Sequence, residues 1–168
     1  HTRFRNVTGV QTCALPIFLV TGRTSYFLSA FGEHLTGAEV EDAVSAAASS
    51  IGALIADFSL GALYPDAGNP RGRHFLIVEF AGGAPDDAAR TQFAAAVDGA
   101  LQRLNDDYRS HRAGGFGLDA PELLCVPSGT FEAWMKSRGK LGGQNKVPRL
   151  IADENLFAAL RKFVAARR

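Results

Sequence analysis

Two apolar segments separated by a turn-rich stretch constrain the fold of this chain most strongly. Between residues 54 and 64, apolar residues occupy every second position, a period that predicts a half-buried β-strand. The segment HFLIVEF at 74–80 is almost continuously apolar, which is typical of an interior strand. Between them, PDAGNPRGR at 65–73 is rich in residues that favour turns. The two segments therefore predict a β-hairpin within one sheet.

A helical pattern lies on each side of this hairpin. Thr36 and Glu39 have the spacing of a capping box, and the apolar residues that follow repeat at helical spacing up to Gly52. After the hairpin, the Asp86-Asp87 pair predicts the start of a long helix. Its predicted inner face consists of Phe93, Val97, Ala100, Leu101, Leu104 and Tyr108.

Further segments complete the order of elements. Extended chain is predicted at 18–20 and 26–31, a strand at 122–126, and two more helices at 130–137 and 153–166. The order strand, helix, strand, strand, helix, strand is that of the split βαβ, or ferredoxin-like, arrangement. We therefore predict an α+β fold, with helices on one face of a ferredoxin-like sheet and two additional carboxy-terminal helices.

The amino-terminal segment does not resemble natural protein. VTGVQTCALPI at 7–17 is similar to the translation of a common sequencing adapter, so we expect 1–17 to be non-native and 18–168 to form the domain. Cys125 is then the single native cysteine, which predicts no disulfide, no thiolate metal site and a reduced, cytoplasmic protein. The chain has 18 Lys and Arg against 17 Asp and Glu, so its charge favours neither nucleic acid nor membrane as a partner.

A glycine-rich basic loop carries the residues most suited to chemistry. The stretch 127–149 reads PSGTFEAWMKSRGKLGGQNKVPR and places Lys146 after a short helix and before a Val-Pro-Arg turn. A lysine is a compact, mobile charge that can bridge a phosphate and a carboxylate. The glycines of this stretch let the backbone approach a ligand. The alternative is a solvated basic loop without a function.

Three blocks of the sequence resemble one family of ligases. GTFE at 129–132, followed by Q-x-K-x-P-R at 144–149, resembles the carboxy-terminal end of the Gretchen Hagen (auxin-responsive) family of acyl acid-amido synthetases, which are adenylate-forming enzymes. Residues 22–44 are similar to the segment that links the family's large and small domains. LNDDYRSHR at 104–112 matches an L-N-x-x-Y-R-x-x-R pattern. The resemblance implies the small carboxy-terminal domain of such a ligase, whose partner is a large amino-terminal ATP-binding domain.

The resemblance also implies the reaction and the residues that carry it. The whole enzyme would use ATP and magnesium, both bound mainly by the large domain, to adenylate a carboxylic acid, and would then conjugate the acid to an amino acid amine. Lys146 would be catalytic during adenylation. Gln144, Arg149 and Lys140 would contact phosphate or support the loop.

Other polar residues are assigned supporting roles. By the same resemblance, Arg23 and Glu33 lie where the two domains connect, so a hinge contact is expected, with an exposed ion pair as the alternative. Asn105, Tyr108 and Arg112 are spaced to lie on one side of a helix, where they can hydrogen-bond a neighbouring loop. The alternative is that they cap and orient the glycine-rich loop that follows.

Some interpretations stay open at this point. The histidines lack the spacing of metal ligands, so no metal site is predicted. Glu79 interrupts an apolar strand and is expected at a solvent-exposed edge or beside a buried arginine. An acyl-CoA-forming ligase is the alternative enzyme. A non-catalytic ferredoxin-like module for ligand sensing or dimerisation is the alternative of another class.

Overall fold

A four-stranded mixed sheet with helices on both faces forms the core of the protein. The computed structural model describes residues 27–113, 117–140 and 145–167, so the predicted adapter segment 1–17 lies outside the described residues. In chain order the elements are β1 (Phe27–Leu28), β2 (Leu35–Thr36), α1 (Gly37–Ser50), β3 (Ile55–Leu63), β4 (Arg73–Phe80), α2 (Asp87–Leu104), α3 (Asp106–Ala113), β5 (Glu122–Val126), α4 (Thr130–Ser137), β6 (Leu150–Ile151) and α5 (Glu154–Ala165).

The predicted hairpin forms the centre of the sheet, whose strand order is β5-β4-β3-β6. β3 and β4 pair antiparallel, with Leu63 opposite Arg73 at the turn and Ile55 opposite Phe80 at the far end. β5 runs parallel to β4, and β6 runs parallel to β3. The predicted α+β class is therefore confirmed.

The strand order differs from the predicted ferredoxin-like order. Within the described residues, β1 pairs only with β2, in a separate two-stranded sheet. The ferredoxin-like order would place the first strand between β4 and β5, but these two strands pair directly. β6, which the sequence analysis did not predict, pairs with the other side of β3. There the Ser59 hydroxyl donates to the Pro148 carbonyl at 2.7 Å, and the Leu60 N–H donates to the Arg149 carbonyl at 2.8 Å. These bonds hold the chain next to β6 at the edge of the sheet beside β3.

Two apolar clusters lie on opposite faces of the sheet. Phe58 and Leu60 of β3 join the cluster formed with α1 and α2, whereas Gly61 contacts Phe157 of α5 on the other face. An added Cβ at Gly61 would lie 2.5 Å from that ring, so only glycine fits there. Ser59 is also buried. The prediction of a half-buried β3 is therefore wrong, because helices cover the face that its polar residues had assigned to solvent.

Three of the described helices begin at a side-chain cap, and two of these caps, Thr36 and Asp86, were predicted. Thr36 caps α1, and its Oγ1 accepts from the Glu39 N–H at 3.2 Å while Glu39 accepts from the Thr36 N–H at 2.7 Å. Asp86 caps α2 and Asp153 caps α5, each by accepting a backbone N–H in the first turn. None of the helices in the described ranges is long and apolar enough to cross a membrane.

α4 begins against a carboxylate from the sheet. Glu79 of β4 is buried and accepts from the Gly129 N–H at 2.7 Å and from the Phe131 N–H at 3.0 Å. Free N–H groups at a helix start favour a negative charge, which explains an acidic residue inside an apolar strand. Neither predicted setting of Glu79, a solvent-exposed edge or a buried arginine, is correct.

The long helix predicted from Asp86 is interrupted. Asn105 adopts an extended conformation between α2 and α3, and its side-chain oxygen accepts from the Tyr108 N–H at 2.7 Å. Leu104 is consequently exposed rather than part of the inner face. Asn105, Tyr108 and Arg112 therefore do not share one side of a continuous helix, because Asn105 ends one helix and begins the next.

Candidate functional site

Lys146 is exposed and directly precedes a segment that is held on the sheet. We call residues 147–151 the anchored segment. Val147 packs against the apolar cluster under α4 and α5, and the next two carbonyls accept the hydrogen bonds from β3 described above. Leu150 and Ile151 then pair with β3 and are buried. The backbone position of Lys146 is thus set from its carboxy-terminal side.

The Arg149 side chain lies against β3 and α1. Its Nη1 donates to Asp57 Oδ1 at 2.7 Å and to the Phe58 carbonyl at 3.3 Å. Its Nε lies 3.5 Å from Glu41 Oε1, and the guanidinium carbon lies 4.5 Å from the Phe58 ring centroid. The predicted phosphate contact of Arg149 therefore competes with two carboxylates of the protein itself.

The other end of the loop is fixed by the end of α4. Gly139 has φ = 67°, a conformation that glycine adopts most readily, and its N–H donates to the Lys136 carbonyl at 3.0 Å. The Lys140 N–H donates to the Met135 carbonyl at 3.0 Å, and the residue is exposed. Gln144 lies outside the described residues. Both lysines of the predicted site are thus on the surface, one at each end of the loop.

A partly buried network forms around Asp98, which sequence analysis missed. Its carboxylate accepts from Arg112 Nε at 2.9 Å and Nη2 at 2.7 Å, from Tyr108 Oη at 2.7 Å and from Gln102 at 3.1 Å. Burial favours a raised Asp98 pKa, but the hydrogen bonds from Arg112 and Tyr108 lower it below its usual range. Burial and the adjacent Asp98 charge raise the pKa of Tyr108 far above its usual value.

The same network reaches two other parts of the domain. Arg112 Nη1 donates to the Leu118 carbonyl at 3.1 Å, which ties α3 to the chain that leads into β5. The Asn105 side-chain amide lies 3.3 Å from Glu39 Oε1, which ties the junction of α2 and α3 to the start of α1. The sequence feature that could have indicated this network is the acidic residue Asp98 beside the apolar stripe of α2.

Glu33 and His74 form a second buried pair. Both side chains are fully buried, and His74 Nε2 lies 2.8 Å from Glu33 Oε1. Glu33 also accepts from the Phe31 N–H at 2.7 Å and the Ala30 N–H at 3.2 Å. Burial opposes ionisation of Glu33, but the hydrogen bond from His74 helps to lower its pKa below the usual range. The exposed ion pair considered for Glu33 is therefore wrong, and Arg23 lies outside the described residues.

The remaining reactive side chains do not form a centre. In the part of the chain that the structure describes, no group of three His, Cys, Asp or Glu residues could hold a metal ion. Burial raises the pKa of the Cys125 thiol, which disfavours the nucleophilic thiolate. Lys146 is exposed at the position directly before the anchored segment.

Comparisons of sequence and of fold relate this chain to known proteins. A sequence profile of the GH3 family C-terminal domain matches residues 38–155. The fold is similar to that of "AtGH3.15 acyl acid amido synthetase in complex with 2,4-DB", with a TM-score of 0.66 and 21% identity over 85% of this chain and 26% of that chain. A second structure, "GH3.15 acyl acid amido synthetase", has a TM-score of 0.60 and 20% identity over 76% of this chain and 23% of that one. The chain thus spans about a quarter of these proteins' length. No curated protein sequence matches significantly.

Proposed function

Since this chain belongs to the GH3 family and corresponds to its C-terminal domain, we propose that it is the small domain of an ATP-dependent acyl acid-amido synthetase. The observation that carries the proposal is the family match over residues 38–155, which contains Lys146 and the loop around it. The partner of the domain is then a large amino-terminal domain of the same enzyme. We call the two domains together the complete enzyme.

The proposed reaction has two steps. A carboxylate oxygen of the acid attacks the α-phosphorus of ATP, pyrophosphate leaves, and an acyl-adenylate forms. The amine of an amino acid then attacks the acyl carbon, AMP leaves, the nitrogen loses a proton, and an amide forms. The adenylate makes the second step favourable because it converts a poor leaving group into a good one.

Lys146 acts in the first of these steps. Its ammonium group lies between the acid's carboxylate and the α-phosphate and neutralises charge there, an effect that is largest where water is excluded. Lys140 and Gln144 are proposed to contact phosphate from the same loop. Movement of the whole domain brings Lys146 into the active site for adenylation and removes it afterwards. Lids and domains commonly open and close in this way in enzymes.

ATP and magnesium are assigned mainly to the large domain. The described residues of this domain contain no group of three His, Cys, Asp or Glu side chains that could hold a metal ion. The hinge role of Glu33 and the cytoplasmic location both stay predictions.

The test uses the complete enzyme, expressed from the gene with its coding sequence upstream of Phe18. We expect pyrophosphate exchange into ATP that depends on a carboxylic acid, and an amide product when an amino acid is added. The chain of residues 1–168 alone should show no exchange, because it lacks the large domain. A thioester with coenzyme A and no amide would favour the acyl-CoA ligase. An upstream sequence without a large ATP-binding domain would overturn the proposal.

A further inference from the structure

The anchored segment is attached to one strand through both its backbone and a side chain. The Arg149 carbonyl accepts from the Leu60 N–H, and the Arg149 guanidinium donates to Asp57 three residues earlier on the same strand. The Pro148 carbonyl also accepts a hydrogen bond, from the Ser59 hydroxyl. The guanidinium contact therefore adds a side-chain restraint to a backbone that is already bonded to β3, and together these contacts define the direction in which the chain leaves towards Lys146.

The Asp57–Arg149 pair adds little to the stability of the fold. Both side chains are partly exposed, and ion pairs of that kind contribute up to about 1 kcal/mol. The hydrophobic attachment of this edge is provided separately by Leu150 and Ile151, which are buried. A pair that contributes little stability but defines a direction is suited to positioning.

The two carboxylates also limit which other groups the Arg149 guanidinium can contact. Asp57 and Glu41 both lie within 3.5 Å of its guanidinium, which is also stacked on the Phe58 ring. A guanidinium with these partners is held against β3 and α1, three residues from Lys146. Lys146, by contrast, is exposed, so its ammonium group can reach an anion.

We propose that Asp57 and Arg149 form a positioning pair that directs Lys146 towards the substrate in the adenylation step. This inference rests on the proposed function of Lys146. Arg149 itself touches neither ATP nor the acid. Displacement of a reacting group by about 1 Å reduces a rate by up to ~10²-fold, so loss of a partly exposed orienting contact should reduce the adenylation rate by about 10-fold.

The experiment compares Asp57→Asn, Arg149→Ala and their double variant in the complete enzyme. Each single variant should lower kcat of acid-dependent pyrophosphate exchange by about 10-fold and leave KM for ATP unchanged, because only transition-state alignment is lost. The double variant should be no slower than either single one, because the two residues act as one unit. Arg149→Lys should recover part of the rate. Asp119→Asn, which removes a more exposed arginine pair on Arg71, is the matched control and should behave as wild type.

Three readouts separate this role from others. If Arg149→Ala raises KM for ATP while Asp57→Asn is silent, Arg149 binds phosphate and the positioning pair is rejected. If amide formation from preformed acyl-adenylate falls as much as adenylation, the pair is merely structural and the inference is also rejected. Lys146→Ala is measured in parallel. A silent Lys146→Ala overturns the proposed role of Lys146 and this inference with it, whereas a slow Lys146→Ala with a silent Asp57→Asn overturns only this inference. Absence of acid-dependent exchange in the wild-type complete enzyme overturns the proposed function itself.

Discussion

Two arginine–carboxylate clusters in this domain use the same chemistry in different surroundings. In the Arg112–Asp98 cluster, the exposed fractions of the side chains are 19% and 13%, and the carboxylate accepts from Arg112, Tyr108 and Gln102. In the Arg149–Asp57 cluster the corresponding fractions are 30% and 35%, and one short bond joins the pair. The first cluster connects α2, α3 and the chain before β5. The second holds the segment next to Lys146.

The difference shows how burial separates a structural role from a positioning role. The less exposed a pair is, the less easily water replaces a removed member, so the remaining charge loses more stabilisation at the Arg112–Asp98 cluster. Removing one member of a partly exposed pair lets water replace it, so stability changes little. The same type of ion pair is therefore expected to affect folding at Asp98 and to affect activity at Asp57.

The largest effect on stability is expected for Asp98→Ala. This change leaves the Arg112 guanidinium and the Tyr108 hydroxyl without their acceptor, and should lower the free energy of unfolding by about 3 kcal/mol in denaturant titrations of the chain. The control is Asp87→Ala, at an exposed pair with Arg90, which should change stability by less than about 0.5 kcal/mol. A loss below about 1 kcal/mol for Asp98→Ala would remove the contrast between the two clusters.

Glu79→Ala tests whether a large loss of stability depends on burial of the carboxylate or on an arginine partner. Glu79 is buried without an arginine and accepts two N–H groups at the start of α4. Its removal should lower the free energy of unfolding by about 2 kcal/mol, close to the value for hydrogen bonds to a charged group. Glu132→Ala, at an exposed acidic residue in the first turn of α4, is the control. An unchanged stability would mean that an arginine partner is required for a large effect.

The pH dependence of stability tests whether the ionised Asp98 carboxylate stabilises its cluster. Because the Asp98 pKa is lowered by folding, its stabilisation is present above the ordinary value of 3.8 and is lost as the pH falls through the lower value of the folded state. Wild type should therefore exceed Asp98→Asn in stability at about pH 6, and the difference should shrink below about pH 4. Titration of both proteins followed by circular dichroism measures this. A pH-independent difference would show that the ionised form is not what stabilises the cluster.

Of the variants in the two clusters, Asp57→Asn is expected to have the smallest effect on stability. Water can replace the lost contact to Arg149, and the anchored segment retains its backbone bonds to β3, so the free energy of unfolding should fall by less than about 1 kcal/mol. Denaturant midpoints of Asp57→Asn and Asp98→Asn, measured side by side, give the comparison directly. Equal losses in the two variants would contradict the assignment of different roles.

The sequence predicted local structure well where a short run of residues determines it. The caps at Thr36 and Asp86, the hairpin and the helix at 130–137 follow from short patterns, and the structure contains them. β6 has only two residues, so it has no period to detect, and it exists because Ser59 and Leu60 offer an edge.

The structure departs from the sequence analysis where distant segments meet. Asp98 meets Arg112 fourteen residues away, and Glu33 meets His74 across forty-one. No local pattern encodes such pairs. Lys146 was identified from a resemblance and the chemistry of its loop, whereas the role of Asp57 required the position of β3 beside the anchored segment.

The central claim is that Lys146 serves adenylation and not the fold. Its most direct test is single-turnover formation of acyl-adenylate by the complete enzyme carrying Lys146→Ala, with Lys162→Ala on α5 as the matched control. The account predicts a rate lower by ~10²-fold or more, on the order of 3 kcal/mol, with an unchanged unfolding midpoint and little effect on amide formation from preformed acyl-adenylate. Adenylation by Lys146→Ala at the rate of wild type would contradict it.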